Sequence, residues 1–128
     1  MPVARFELKD IPKLAPYLGL LGVIDGGKDF LIRLAGTKLV GEFFGRDPTG
    51  ETISQSLGDG EYGMRTRHII GEVFRTKRPV LNQPGRMRLR DKEYFSLETV
   101  TFPLVDEGGS VVKIVSLYDF QLEPQEGP

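Results

Sequence analysis

The chain has 128 residues, 17 basic and 18 acidic side chains, a net charge of -1 and no cysteine. A chain of this length buries roughly two thirds of its unfolded surface around one core. The missing cysteines exclude disulfides, thiolate metal sites, thiol nucleophiles and cysteinyl-flavin adducts, and the nearly cancelled charge argues against general nucleic-acid binding. The longest apolar run, Tyr17 to Ile24, is far shorter than the roughly 20 residues of a membrane helix, so no membrane insertion is expected. The opening residues Met1 to Glu7 lack the basic start and apolar stretch of a signal peptide, and a cytoplasmic location is the expectation.

Leu18 to Asp25 is a short apolar run closed by Asp25-Gly26-Gly27, and Asp29 to Ala35 follows with Phe30, Ile32 and Leu34 alternating, which predicts a hairpin. Thr37 is placed to cap a short helix carrying Leu39, Val40, Phe43 and Phe44, which Gly45 ends. Arg46 to Gly50 is turn chemistry, and Thr52-Ile53-Ser54-Gln55 has the spacing of a capping box. Tyr62 to Lys77 reads as the one long helix, with Ile69, Ile70, Val73 and Phe74 on a single stripe and Pro79 beyond its end. Three strands are predicted after it, over Val80 to Arg90, Lys92 to Val105 and Val111 to Phe120, the last two joined by Asp106-Glu107-Gly108-Gly109-Ser110. Residues 1–120 read as one α+β domain with helices on one face of an antiparallel sheet, and residues 121–128 as a flexible tail.

The run Phe30-Leu31-Ile32-Arg33-Leu34-Ala35-Gly36-Thr37-Lys38-Leu39, followed by Phe44-Gly45-Arg46-Asp47-Pro48-Thr49-Gly50, resembles the signature of a bacterial PAS branch abundant in alphaproteobacteria. Asp10-Ile11-Pro12-Lys13-Leu14, Arg78-Pro79-Val80 and Phe102-Pro103-Leu104 continue the resemblance, which covers roughly residues 8 to 119. It implies the PAS fold, a five-stranded antiparallel sheet in the order 2-1-5-4-3 whose helices enclose a small cavity, and it implies a signal-sensing role, commonly in a stand-alone chain that forms homodimers. Only Met1 to Lys9 precede the Asp-Ile-Pro segment, and there is no tryptophan. Family members often carry a tryptophan-containing helix there, so a dimerisation element is expected to be reduced. Tyr118-Asp119-Phe120-Gln121 only weakly resembles the family's trigger to an effector domain.

No nucleophile with a base, no carboxylate pair and no metal cluster stands at a recognisable spacing, so no catalytic or metal-binding residue and no enzyme activity is expected. His68, the sole histidine, lies about 160° from Ile70 on the helix and reads as solvent-facing rather than as a haem ligand; no cofactor is expected. Met64 to Lys92 carries nine basic residues against Glu72 and Asp91. Within it Arg86, Arg88 and Arg90 share a strand face, read as a charged surface in preference to an anion site. Arg33 and Glu98 match charged positions of the family pattern and are expected to pair across the sheet or at a dimer face, in preference to the alternative of recognising a ligand. The pocket candidates are Ile32, Leu34, Leu39, Phe43, Phe44, Ile53, Ile70, Phe74 and Thr99, a set suited to a small, largely apolar ligand, with Thr37, Ser54, Tyr62 or Thr99 supplying a hydrogen bond. The functional expectation is a sensor that binds such a ligand and signals to a downstream protein through protein contacts. The alternatives are a ligand-free scaffold for dimerisation or partner binding, and a domain excised from a larger signalling protein.

Overall fold

In the computed structural model, which describes residues 14–90 and 93–123, the apolar runs become five strands: β1 (Leu18–Ile24), β2 (Asp29–Ala35), β3 (Val80–Arg90), β4 (Glu93–Val105) and β5 (Val111–Leu122). All pairings are antiparallel, and the order across the sheet is β2-β1-β5-β4-β3. The last strand is therefore the central one. It pairs on one side with β1, from Leu18↔Leu117 to Leu21↔Ile114, and on the other with β4 along nearly its whole length. Residues 121 to 123, expected to lie in the tail, are instead part of the fold, because β5 runs through Leu122 and Glu123 is tied down twice. Its N–H donates to the Tyr94 carbonyl at 3.0 Å, and its carboxylate accepts from Arg86 Nε at 2.6 Å. The Asp10 to Lys13 part of the family pattern, Lys92, and residues 124–128 lie outside the described residues.

Between β2 and β3 the chain makes a π-helical segment, Leu39–Phe44, and the helices α1 (Ile53–Leu57) and α2 (Glu61–Thr76). Thr37 does not cap the first of these with its side chain; the turn is held by Val40 N–H donating to the Gly36 carbonyl at 3.0 Å. The capping box at α1 is present in both directions, Gln55 N–H to Thr52 Oγ1 and Thr52 N–H to Gln55 Oε1. Arg67 fastens α2 to α1, donating to Ser54 Oγ, the Gly58 carbonyl and Asp59 Oδ1 at 3.1 to 3.2 Å. His68 faces solvent as expected, with a side chain 76% exposed and Glu72 4.0 Å away.

The helices cover one face of the sheet, and two apolar clusters fill the space between them. Leu21, Phe30, Ile32 and Ile114 meet Ile53, Ile70 and Val73 in one. Leu39 and Phe43 meet Phe95, Leu97 and Phe120 in the other. Phe43 is the hub of the second, with its ring centroid 5.1 to 6.1 Å from those of Phe44, Tyr62, Phe95, Tyr118 and Phe120. Tilted and edge-on aromatic contacts of this kind stabilise beyond area burial alone.

Two expectations fail at β2, for one reason each. Strict alternation would place Leu34 inside with Phe30 and Ile32. The pairing with β1 slips between Leu20 and Leu21, so that Leu20 faces Leu34, Leu21 faces Ile32, and Arg33 is the extra residue of a bulge. Arg33 and Leu34 both end up exposed on the outer face, Leu34 at 53%. The expected Arg33–Glu98 pair does not form within the chain, because β1 and β5 lie between β2 and β4, a separation of about 14 Å at the usual strand spacing. Glu98 accepts instead from Gln83 Nε2 at 2.8 Å.

Gly36, directly after β2, admits no side chain. A Cβ there would sit 2.1 Å from the Ala15 carbonyl oxygen and 2.5 Å from the Pro16 carbonyl carbon, whereas one at Gly41 would meet nothing within 4 Å. Gly36→Ala is expected to lower stability by about 1–3 kcal/mol through overpacking against the backbone. Gly41→Ala, in a helical segment, is expected to be neutral or to stabilise by up to about 1 kcal/mol. Urea unfolding checks both: the midpoints should move in opposite directions, or only that of Gly36→Ala should move, with the slope unchanged.

Candidate functional site

On the inner face the register of β4 and β5 sets hydroxyl groups side by side. Thr101 lies opposite Ser116 and Thr99 opposite Tyr118, on the face shared with Leu97, Ile114 and Phe120. Thr99, Thr101 and Ser116 are the buried polar residues of the described core. Thr101 Oγ1 and Ser116 Oγ are 3.0 Å apart and hydrogen-bonded. Helix α2 lies above the space with Tyr62, Thr66, Ile69 and Ile70, Asn82 of β3 lies at its side, and the volume is about 20 Å³. That is room for about one water molecule. The cavity lies at the meeting of the two apolar clusters, since Ile70 belongs to one and Leu97, Tyr62 and Tyr118 to the other.

Burial controls the phenols. It pushes Tyr118 up to about 12 and raises Tyr62 well above the usual phenol value; the nearby Tyr118 adds to the rise at Tyr62, and a hydrogen bond with Thr66 opposes it. Both side chains therefore remain neutral hydrogen-bonding groups.

Of the sequence-derived pocket residues, Ile70 and Thr99 line this cavity. Ile32 and Ile53 are buried in the first cluster, with Phe74 packed against it and edge-on to Phe30 at 6.4 Å. Leu39 and Phe43 are buried in the second, with Phe44 against it, while Leu34 is on the other side of the sheet. Of the suggested hydrogen-bonding residues, Tyr62 and Thr99 reach the cavity; Thr37 is exposed, and Ser54 bonds Arg67 instead. The cavity is thus smaller and more polar than the expected apolar pocket. Thr66, Asn82, Thr101, Ser116 and Tyr118 were missed. The available signal was the spacing of Thr99 with Thr101 and of Ser116 with Tyr118, two hydroxyl pairs at period two inside apolar strands.

The outer face carries a second concavity, a groove of about 580 Å³. Its floor is Leu81, Val100 and Leu117, its wall Leu14 and Tyr17 from the lead-in to β1, and Glu98 and Asp119 stand beside the apolar floor. These two carboxylates are directly opposite across β4 and β5, an arrangement that like charges make unfavourable. Among the described side chains of the basic segment, none pairs with them. Arg65 bonds Asn82 at 3.2 Å, Arg67 ties α1 to α2, Arg75 pairs with Glu72, and Arg86 pairs with Glu123 while lying 3.8 Å over the Tyr94 ring. Of the three alternating arginines only the Arg86 side chain lies among those described, and its pairing fits a structural charged surface.

Two outcomes follow for the cavity. Thr101→Val or Ser116→Ala alone strands the remaining buried hydroxyl and is expected to cost about 1–3 kcal/mol, whereas the double variant should cost less than the sum of the two. A cycle of urea denaturations reads the coupling. Tyr118 keeps its proton in the folded chain up to about 12, while the unfolded group releases it near 10.0. The folded state then binds more protons than the unfolded one, so stability should fall as pH climbs through that window. Tyr118→Phe should flatten the decline in denaturation midpoints measured from pH 9.5 to 11.5.

No family model matches the sequence, and no curated protein matches it. Solved structures do match in fold. A sensory box sensor histidine kinase from Vibrio cholerae superposes with a TM-score of 0.59 at 12% identity, over 91% of this chain and 90% of that one. VqmA bound to DPO gives 0.61 at 15%, over 90% of this chain and 58% of VqmA. The PAS domain of Bordetella pertussis BvgS gives 0.54 at 14%, over 91% and 84%. Among the described residues no helix is long and apolar enough to cross a membrane. Five antiparallel strands ordered β2-β1-β5-β4-β3, with the π-helical segment, α1 and α2 on one face and a cavity beneath α2, are the PAS fold.

Proposed function

We propose that this chain is a signal-sensing domain of the cytoplasm that binds a small molecule in the cavity under α2 and reports it through contacts with another protein chain, a homodimer mate included. The observation that supports this reading is the lining. Hydroxyls from three side chains are buried between two apolar clusters, where a core serving stability alone gains more from aliphatic groups. The hydroxyls suit a compact ligand with hydrogen-bonding atoms of its own, in place of the largely apolar one that the sequence suggested. A DPO-bound protein among the fold neighbours agrees with a ligand-binding role. The reading assigns binding rather than catalysis, and it holds equally for a chain that serves as the sensing part of a larger signalling protein.

At about 20 Å³ the cavity holds no more than about one water, so binding a larger molecule requires α2 to move away from the sheet and carry Tyr62 and Thr66 with it. A ligand that favours the open arrangement shifts the population by its differential affinity for it. The small volume is also what favours a second reading, a ligand-free scaffold that acts through its outer surface.

Native mass spectrometry of protein purified from its own host, compared with the denatured sample, tests the first reading. The expected result is a reproducible extra mass that vanishes on denaturation and is lost from the Thr101→Val/Ser116→Ala double variant. A clean protein mass, with no thermal shift across a panel of small hydroxylated and heteroaromatic metabolites, would overturn it in favour of the scaffold.

A further inference from the structure

The register of the sheet sets one row of polar side chains across three strands of its inner face. Asn82 of β3 stands opposite Thr99 of β4, and Thr99 stands opposite Tyr118 of β5. All three line the cavity under α2, and neighbours in such a row are about 4.8 Å apart. Elsewhere in the lining the polar groups face one another: Thr101 bonds Ser116 at 3.0 Å, and Tyr62 bonds Thr66. The row is left to meet a ligand.

Asn82 is fixed in orientation. Arg65 Nη2 on α2 donates to its Oδ1 at 3.2 Å. A guanidinium has donors only, so the amide oxygen is committed to Arg65 and Nδ2 is the group that Asn82 has to offer. Among the described residues no acceptor is hydrogen-bonded to Nδ2. The next residue, Gln83, turns to the outer face and bonds Glu98, as the alternation of a strand requires. Thr99 beside Asn82 carries a hydroxyl, which accepts as well as donates. The row therefore presents a committed donor next to a group able to accept. Among the described residues lining the cavity there is no Asp, Glu, Lys, Arg or His. A charged ligand group would lose its water here without gaining a counter-charge.

We infer that the cavity selects an uncharged amide or lactam, whose carbonyl accepts from Asn82 Nδ2 and whose neighbouring N–H donates to Thr99 Oγ1. Asn82 is then the residue that decides between ligands. An amide edge carries its acceptor and its donor side by side, as the row offers their complements. An amidinium of the same shape sets donors against the donors of Asn82, which leaves both unpaired. A carboxylate of that shape finds donors but no counter-charge, because the one cation near the row, Arg65, is exposed and already bonded to Asn82. Discrimination thus comes from what the lining lacks as much as from what it holds. The assignment rests on the ligand reading of this cavity and adds the chemical class that the cavity takes.

Benzamide, benzoate and the benzamidinium cation share one shape and differ in charge, and titrating each at neutral pH into the isotope-labelled chain, followed by NMR, tests the assignment. Benzamide should bind with a dissociation constant about tenfold or more below those of the two ions, and it should shift the Asn82 side-chain NH₂ resonances. Asn82→Asp keeps an acceptor for Arg65 and removes both donors; it should weaken benzamide by about tenfold or more and favour benzamidinium instead. Asn82→Ala, which adds no charge, should show the same loss of benzamide, and circular dichroism checks that both variants fold. An ion that binds as tightly as benzamide, or a benzamide affinity unmoved in Asn82→Ala, would overturn the assignment and leave the ligand reading standing. So would a failure to bind benzamide by protein whose native mass carries an extra component. No binding together with a clean native mass would overturn both.

Discussion

The register between β4 and β5 is the constraint on which the rest depends. The two strands pair from Phe95↔Leu122 to Leu104↔Lys113 without a slip, and side chains alternate faces with a period of two. One register therefore sets Thr101 against Ser116 and Thr99 against Tyr118 beneath α2, and sets Glu98 against Asp119 on the opposite surface. A slip of one residue would exchange the faces, burying carboxylates and exposing Phe95 and Leu97. The apolar residues of both strands forbid that slip, so the hydroxyls and the carboxylates are held in place by their neighbours rather than by their own bonds.

The two faces handle polarity differently. Inside, the hydroxyls are few and paired, as in Thr101 with Ser116, and no buried side-chain polar atom of the described residues lacks a partner. Outside, the polarity is charged: Glu98, which accepts from Gln83, stands opposite Asp119, and among the described residues no cation pairs with either.

The basic middle segment shows why a count of charges is a weak guide to binding. Nine cations over Met64 to Lys92 suggest a patch, yet Arg65, Arg67, Arg75 and Arg86 each turn to a partner in the same chain. Exposed pairs of this kind add little to stability, because water and salt screen them. Arg67 does more than pair, since its three bonds reach both ends of α1. Arg86 does likewise by holding Glu123 and covering Tyr94 at the end of the sheet.

The sequence by itself determined the five strands, the capping box at Thr52 and Gln55, the long helix with His68 on its solvent side, and, through its resemblance to a known family, the strand order. Each depends on near neighbours in the chain or on a pattern of turn and apolar residues repeated along it. Only the tertiary structure decided which residues share the cavity, because Thr66, Asn82, Thr101 and Ser116 come from four elements and meet only once β5 is inserted between β1 and β4. The same holds for Leu34 and for Arg33 with Glu98. A bulge moves a side chain to the other face by one unpaired residue that no alternation of apolar and polar letters records, and two intervening strands separate a pair of charges that the pattern alone had joined.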